Sequence, residues 1–225
     1  MITKAQIVEA AARVYGEYGF RGATTRRIAE EAGVNEVTLF RHFGSKSALI
    51  GEVLRTHAAG PGRSSTLPAV PVDPERELTE WASSHLTHMR ASRSLIRKTM
   101  GDMEERPEMC GCISEGPSGK ARDLKAYMLR MARAGFVKWP APVAGDRNED
   151  AHAAGAMLMG ALFADAMGRD MMPEMYPHPP ETAAAMYVRL FLTAIGACDP
   201  PPALGGARRR ARRAPRTLST KTRTR

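Results

Sequence analysis

The sequence predicts an all-α protein in two parts, a small N-terminal unit of four short helices and a larger helical unit behind it. Three observations predict this. Apolar residues recur at helical spacing through most of the chain, and no segment alternates like a strand for long enough to build a sheet. Helix caps and left-handed stops punctuate the first 57 residues at short intervals. The stretch AAGPGRSSTLPAVPVDP, residues 58–74, then breaks the pattern: it is rich in Pro, Gly and Ser and longer than the usual helix connection. A length of 225 residues suits two domains.

Taken in order, Thr3 followed by Gln6 is a capping box, and Ile7, Ala11, Val14, Tyr15 and Tyr18 form the apolar stripe of a helix over residues 3–18. Gly19 offers its left-handed stop. A second helix, capped by Thr24 or Thr25, buries Ile28, Ala29 and Ala32 and ends at a tight turn on Gly33. The third turns Leu39 and Phe43, four apart, to one side, which leaves Glu36, Val37, Phe40 and Arg41 facing outward. An ordinary solvated helix seldom exposes Val and Phe together at its N-terminal half. A helix lying in the major groove of DNA does, because apolar side chains there cover thymine methyls, so residues 24–43 have the layout of a helix-turn-helix. Gly44 and Ser45 then give a stop and a new cap, and Leu49, Ile50, Val53 and Leu54 line a fourth helix ending near His57.

Helical patterning resumes at Pro74 or Glu75, with Leu78, Trp81, Ala82, His85, Leu86 and Met89 on one face. Further helices are predicted over residues 92–105, 118–135, 147–169 and 180–197, separated by the loops ERPEMCGCISEGPSG, WPAPVAGD and MMPEMYPHPP. The resulting organisation is 1–57 as the helix-turn-helix unit, 58–74 as linker, 75–198 as the second helical domain, and 199–225 as a disordered Arg-rich tail.

The formal charge of +9 does not by itself announce a nucleic-acid partner. Nine basic and no acidic residues lie between Arg208 and Arg225; removing those nine from the 33 Lys and Arg leaves 24 basic against 24 acidic residues in the rest of the chain. Within 1–57 there are eight basic and six acidic residues, so positive potential at a DNA reader must come from placement and helix N-termini. The tail lacks apolar periodicity. It reads either as a polybasic arm that neutralises phosphates and adds salt-sensitive affinity, or as a solvated extension.

The runs GFRGATTRRIAEEAGV and TLFRHFGSKSAL, with Phe20, Thr24, Thr25, Ile28, Ala29, Gly33, Val34, Leu39, His42, Phe43, Lys46 and Leu49 in place, resemble the tetracycline-repressor (TetR) family of bacterial transcription regulators. The resemblance covers residues 3–57, about a quarter of the chain. Phe40 departs from the usual Tyr, removing a hydroxyl donor, and Asn35 stands where Ser or Thr is frequent and caps equally well. The resemblance implies that Thr24 and Thr25 lie against the DNA backbone, that Arg26 reaches a base edge, that Asn35, Glu36, Val37 and Thr38 lead the reading helix, that Phe40 and Arg41 face the duplex, and that His42 and Lys46 clamp phosphate. Outside that motif Lys46 would be a solvated lysine beside a cap and Thr38 a surface threonine. It also implies that the second domain binds a small molecule and dimerises.

Thirteen of the fourteen methionines lie at or after Met89, and flexible, polarizable Met side chains suit a pocket for varied apolar molecules. Candidate pocket residues are Trp81, His85, Met89, Met100, Met103, Tyr127, Met131 and Phe163. Candidates for a four-helix dimer interface are Ala153, Ala156, Met157, Gly160, Ala161 and Ala164 on one helix and Met186, Tyr187, Leu190, Phe191 and Ala194 on the next. A dimer also follows from the reader, since two copies related by a twofold axis read a palindrome in successive grooves. His85 and His88 have helical metal-ligand spacing but no third ligand placed by sequence, so no metal and no cofactor are expected.

Cys110 and Cys112, in EMCGC, open a different reading, a metal or redox sensor, but two cysteines make an incomplete shell. An odd total of three, the lack of a signal peptide and the lack of a long apolar run predict a cytoplasmic protein with reduced thiols and no membrane span. No phosphate loop, nucleophile elbow or zinc-protease helix is present, so an enzyme is not expected. The reading that unites these features is a homodimeric repressor released from a palindromic operator on double-stranded DNA by a small apolar effector. The opposite ligand preference would make the effector a corepressor, and an activator uses the same parts. A protein coating DNA nonspecifically through its basic tail is the alternative from another class.

Overall fold

The computed structural model describes residues 2–58, 66–107, 115–137 and 146–198. These form nine α-helices: α1 (Lys4–Gly22), α2 (Thr25–Ala32), α3 (Glu36–Phe43), α4 (Lys46–Ala58), α5 (Pro74–Ala91), α6 (Arg93–Glu105), α7 (Glu115–Arg133), α8 (Arg147–Gly168) and α9 (Ala183–Ala194). The all-helical expectation holds among the described residues, where the sole extended pairing is an isolated antiparallel bridge between Val137 and Ala197. The Cys110 and Cys112 sensor residues, residues 59–65 of the 58–74 linker and the 199–225 tail lie outside the described residues.

The predicted capping box opens α1: the Thr3 hydroxyl accepts from the Gln6 amide at 3.3 Å, and the Gln6 side chain accepts from the Thr3 amide at 2.8 Å. Gly19 takes the left-handed φ of 66° that its position suggested, yet the helix resumes for one more turn to Gly22. The reason is non-local. Asp102, on α6, accepts the Phe20 amide at 2.9 Å, so the donor freed at the kink is satisfied and the chain turns helical again. Tyr18, expected on the buried stripe, is instead 45% exposed, and its ring supports the Arg27 guanidinium at 4.5 Å.

Ile7, Val14, Tyr15, Ile28, Leu39, Leu49, Ile50 and Val53 make the N-terminal core. Each buried Leu or Ile contributes about 1.5 to 3 kcal/mol on transfer from water. Leu95 of α6 is part of the same core, and α6 also holds α1 through the Ser94 hydroxyl, which donates to the Gly16 carbonyl, and through the Glu105–Arg21 ion pair at 2.9 Å. The second domain therefore reaches into the first along α6.

The larger core gathers Leu78, Trp81 and Leu86 of α5, Leu124, Tyr127, Met128 and Met131 of α7, Leu158 and Leu162 of α8, and Val188, Phe191 and Leu192 of α9. Asp165 is fully buried within it. Its carboxylate accepts from Arg90 at 2.6 Å, from the Tyr187 hydroxyl at 2.9 Å and from the Arg169 guanidinium, whose Nε lies at 3.1 Å, joining α5, α8, α9 and the loop after α8. Burial pushes the Asp165 pKa up, but the hydrogen bonds from Arg169, Arg90 and Tyr187 outweigh it and hold the carboxyl below its ordinary value.

The last helix begins at Ala183 rather than 180, because Pro179 and Pro180 precede it and the Thr182 hydroxyl bonds the Pro179 carbonyl. It stops at Ala194. Gly196 then turns at a φ of 69° and the Cys198 amide bonds the Phe136 carbonyl at 2.8 Å, tying the end of α9 to the end of α7.

Candidate nucleic-acid interface and effector cavity

The reader is set by its caps. Thr24 accepts from the Arg27 amide at 3.3 Å to start α2, and Gly33, at φ 65° and ψ 35°, turns the chain. Asn35 accepts from the Val37 amide at 2.9 Å to start α3. The Thr25 hydroxyl donates to Glu36 at 2.6 Å, stapling the N-terminus of one helix to that of the other.

Leu39 is buried, while Val37 is 71% and Phe40 50% exposed, with Arg41 and His42 beside them in solvent. Glu36, expected to face outward, is half-buried through its bond to Thr25; Thr38 and Phe43 are also half-buried. Arg26 extends into solvent and pairs with Glu30 at 2.9 Å, an exposed contact of little net strength.

Lys46 stands apart. Its ammonium donates to the Phe20 carbonyl at 2.8 Å and lies 4.4 Å from the centre of the Phe20 ring, whose surroundings also include the Arg106 guanidinium at 4.0 Å. Burial, with Arg106 nearby, lowers its pKa. The ten other reader residues named from sequence all fall on α2, α3 or their caps; Lys46 starts α4 and faces the kink of α1.

A cavity of about 210 Å³ lies between the two domains. His85, Met89, Met100, Met103 and Phe163 line it as expected. Trp81, Tyr127 and Met131 do not: all three are buried in the larger core, Trp81 stacked on His85 with ring centres 5.4 Å apart and Tyr127 donating its hydroxyl to the Glu77 carboxylate. Helical periodicity put them on buried faces, but it does not distinguish a face packed on protein from one facing a void.

Sequence reasoning also missed wall residues. His88 on α5 and Ser92 at its C-terminal cap continue the stripe of His85 and Met89, a signal that was present. Leu54 and His57 of α4, Thr99 of α6, Lys120 of α7 and Met159 of α8 enter only through the docking of helices. The His88 ring donates Nε2–H to the His57 carbonyl at 2.8 Å, linking the cavity to the last turn of α4. Burial, followed by the charge of Lys120 and the proximity of His88, pushes the His85 pKa down to about 4, so this ring is neutral at pH 7. Among the described residues no three His, Cys, Asp or Glu side chains converge as a metal set.

On α8, Ala153, Ala156, Met157, Gly160 and Ala164 are exposed, and Leu190 of α9 is 63% exposed beside Ala194. Phe191 and Tyr187, expected on that outer face, turn inward: Phe191 is core and Tyr187 is bound to Asp165.

Residues 7–53 match the family described as bacterial regulatory proteins, tetR family. The chain is 26% identical over 136 residues to the HTH-type transcriptional regulator YvkB of Bacillus subtilis, covering 60% of this chain and 71% of that protein. It is 39% identical over 57 residues to the HTH-type transcriptional repressor AcnR of Corynebacterium efficiens, covering 25% of this chain and 30% of that repressor. The fold is similar to that of the transcriptional regulator FadR from Bacillus subtilis in complex with stearoyl-CoA, with a TM-score of 0.67, 17% identity, and 86% of this chain and all of that one covered. Among the described residues no helix is long and apolar enough to cross a membrane.

Proposed function

The chain belongs to the TetR family of bacterial transcriptional regulators, and from that premise we propose that it works as a homodimeric repressor whose grip on a palindromic operator is released by a small apolar effector. The observation that carries the reading is the face of α3, where a helix of eight residues, capped by Asn35 and anchored by Leu39, holds Val37 and Phe40 out to solvent. Val37 and Thr38 cover thymine methyls. Arg26 is released from its weak pair with Glu30 to take a guanine edge, and Phe40, Arg41 and His42 lie along the backbone.

Thr25 and Glu36 brace each other, so they fix the angle between the two helices besides touching DNA. Lys46 clamps phosphate by leaving the Phe20 carbonyl. The exposed small residues of α8, with Leu190 and Ala194 of α9, form the dimer face and set the spacing between reader helices.

The effector enters the cavity between the domains. Leu54 and Leu95 belong both to its wall and to the N-terminal core, and His88 holds the last turn of α4, so a molecule filling it pushes on the packing that orients the reader. A preference for one arrangement over the other worth about 1 to 3 kcal/mol is enough for such control.

The test is selection of bound fragments of the source genome by the purified protein at near-physiological salt, with and without residues 208–225. Recovery of one shared palindrome by both forms is expected. Recovery of random fragments only, and only with the tail present, would replace this reading with nonspecific electrostatic binding.

A further inference from the structure

The effector cavity is not uniformly apolar. Met89, Met100, Met103, Met159 and Phe163 give it a soft, adaptable wall, whereas His85 and Lys120 bring polar groups to it from α5 and α7. Among the described residues Lys120 is the sole Lys or Arg in the wall, and no Asp or Glu lines it. Among the described residues no hydrogen bond or ion pair engages its half-buried side chain. A half-buried ammonium beside apolar side chains is well placed to meet an anion that brings its own apolar body.

We propose that the cavity takes an apolar molecule bearing a single carboxylate, with the Lys120 ammonium as counter-ion and the His85 ring as hydrogen-bond donor; this rests on the reading of the cavity as the effector site. Among the described wall residues the single formal positive charge of Lys120 matches a monoanion, and the His57 Nε2, which has no hydrogen-bond partner, and the Ser92 hydroxyl add neutral polar groups to the same wall. A phosphate dianion would leave its second charge without a partner inside an apolar wall. His85 is suited to the role because stacking on Trp81, at 19° between planes, fixes its ring, and because a neutral imidazole presents one donor and one acceptor. His88 is not a second donor to the ligand, since its Nε2–H is directed at the His57 carbonyl. The acid therefore binds beside the residue that holds α4, and its head group and its chain press on different walls.

The stacking also supplies the reporter. In full-length protein carrying Trp139→Phe, Trp81 is the one remaining tryptophan, and its fluorescence is titrated with decanoate, 1-decanol and decanoyl-CoA at neutral pH. Decanoate is expected to bind about ten- to a hundredfold more tightly than 1-decanol, the range of a charge-assisted hydrogen bond. Lys120→Met should erase that preference while 1-decanol still binds, and Lys120→Arg should keep it. Equal affinity for acid and alcohol, tighter binding of decanoyl-CoA than of decanoate, or an unchanged preference in Lys120→Met would each overturn the carboxylate assignment and leave the effector site standing. Failure of all three probes to bind would remove the effector-site reading, and this proposal with it.

Discussion

The N-terminal reader and the larger helical body use polar side chains in opposite ways. In the reader the groups proposed to act, Arg26, Val37, Phe40, Arg41 and His42, are exposed, and the core beneath them is apolar. In the body the strongest polar groups are inside: Asp165 is fully buried and gathers two arginines and a tyrosine, and the cavity wall holds half-buried histidines. A surface that reads DNA can therefore change its contacts without changing its fold. The body lacks that freedom, since Asp165 and its partners tie its helices to one another and to the loop after α8.

The largest expected effect tests the body. Asp165→Ala leaves the Arg90 and Arg169 guanidinium groups without their carboxylate in a buried site, and should cost about 3 to 5 kcal/mol, read as a lower urea midpoint. The same carboxylate gives the wild type an acid limit. Its folded pKa lies below the unfolded value of about 3.9, so its stabilisation is complete above that pH and is lost as the pH falls through the folded value. A midpoint for Asp165→Ala within error of wild type would break the contrast drawn here.

The next effect belongs to the reader and leaves stability alone. Arg26→Ala removes an exposed side chain and should not move the urea midpoint, yet it should lower the preference for operator over random DNA by about 1 to 3 kcal/mol. Lys46→Ala should weaken operator and random DNA alike, because a phosphate contact carries no sequence information. It should also loosen the α1 kink, where its ammonium holds the Phe20 carbonyl. Competition binding with the two DNAs checks both, and equal loss of preference in the two variants would contradict the division of roles.

The same contrast explains what the sequence made legible. The reader is local: its caps, its turn glycine and its outward apolar residues occupy some twenty consecutive positions, and Thr24, Gly33, Asn35 and Ser45 all act where the pattern put them. The cavity is assembled from five helices spread between Leu54 and Phe163. The stripe of α5 pointed to His85 and Met89, but Trp81, one turn earlier on the same stripe, is packed against protein. Lys120 and His57 carry no mark of a pocket until α7 and α4 dock against α5. The resumption of α1 beyond Gly19 was hidden for the same reason, because the group that permits it, Asp102, lies 82 residues away.

Asn35 is the position where the two regimes should meet, and it gives the smallest effect. Its side chain caps α3 through the Val37 amide, and it stands at the N-terminus proposed to face the duplex. Asn35→Ala should cost about 1 kcal/mol of stability from the lost cap. Because the residues proposed to read bases follow it directly, a frayed first turn should lower operator affinity through misplacement of Val37 and Thr38 rather than through a lost contact. Asn35→Ser separates the two, since serine restores the cap without the amide. If stability and operator affinity both recover in Asn35→Ser, the residue acts through the helix. If stability recovers and affinity does not, Asn35 touches DNA itself, and here one reader side chain serves both the fold and the contact, as the buried groups of the body do.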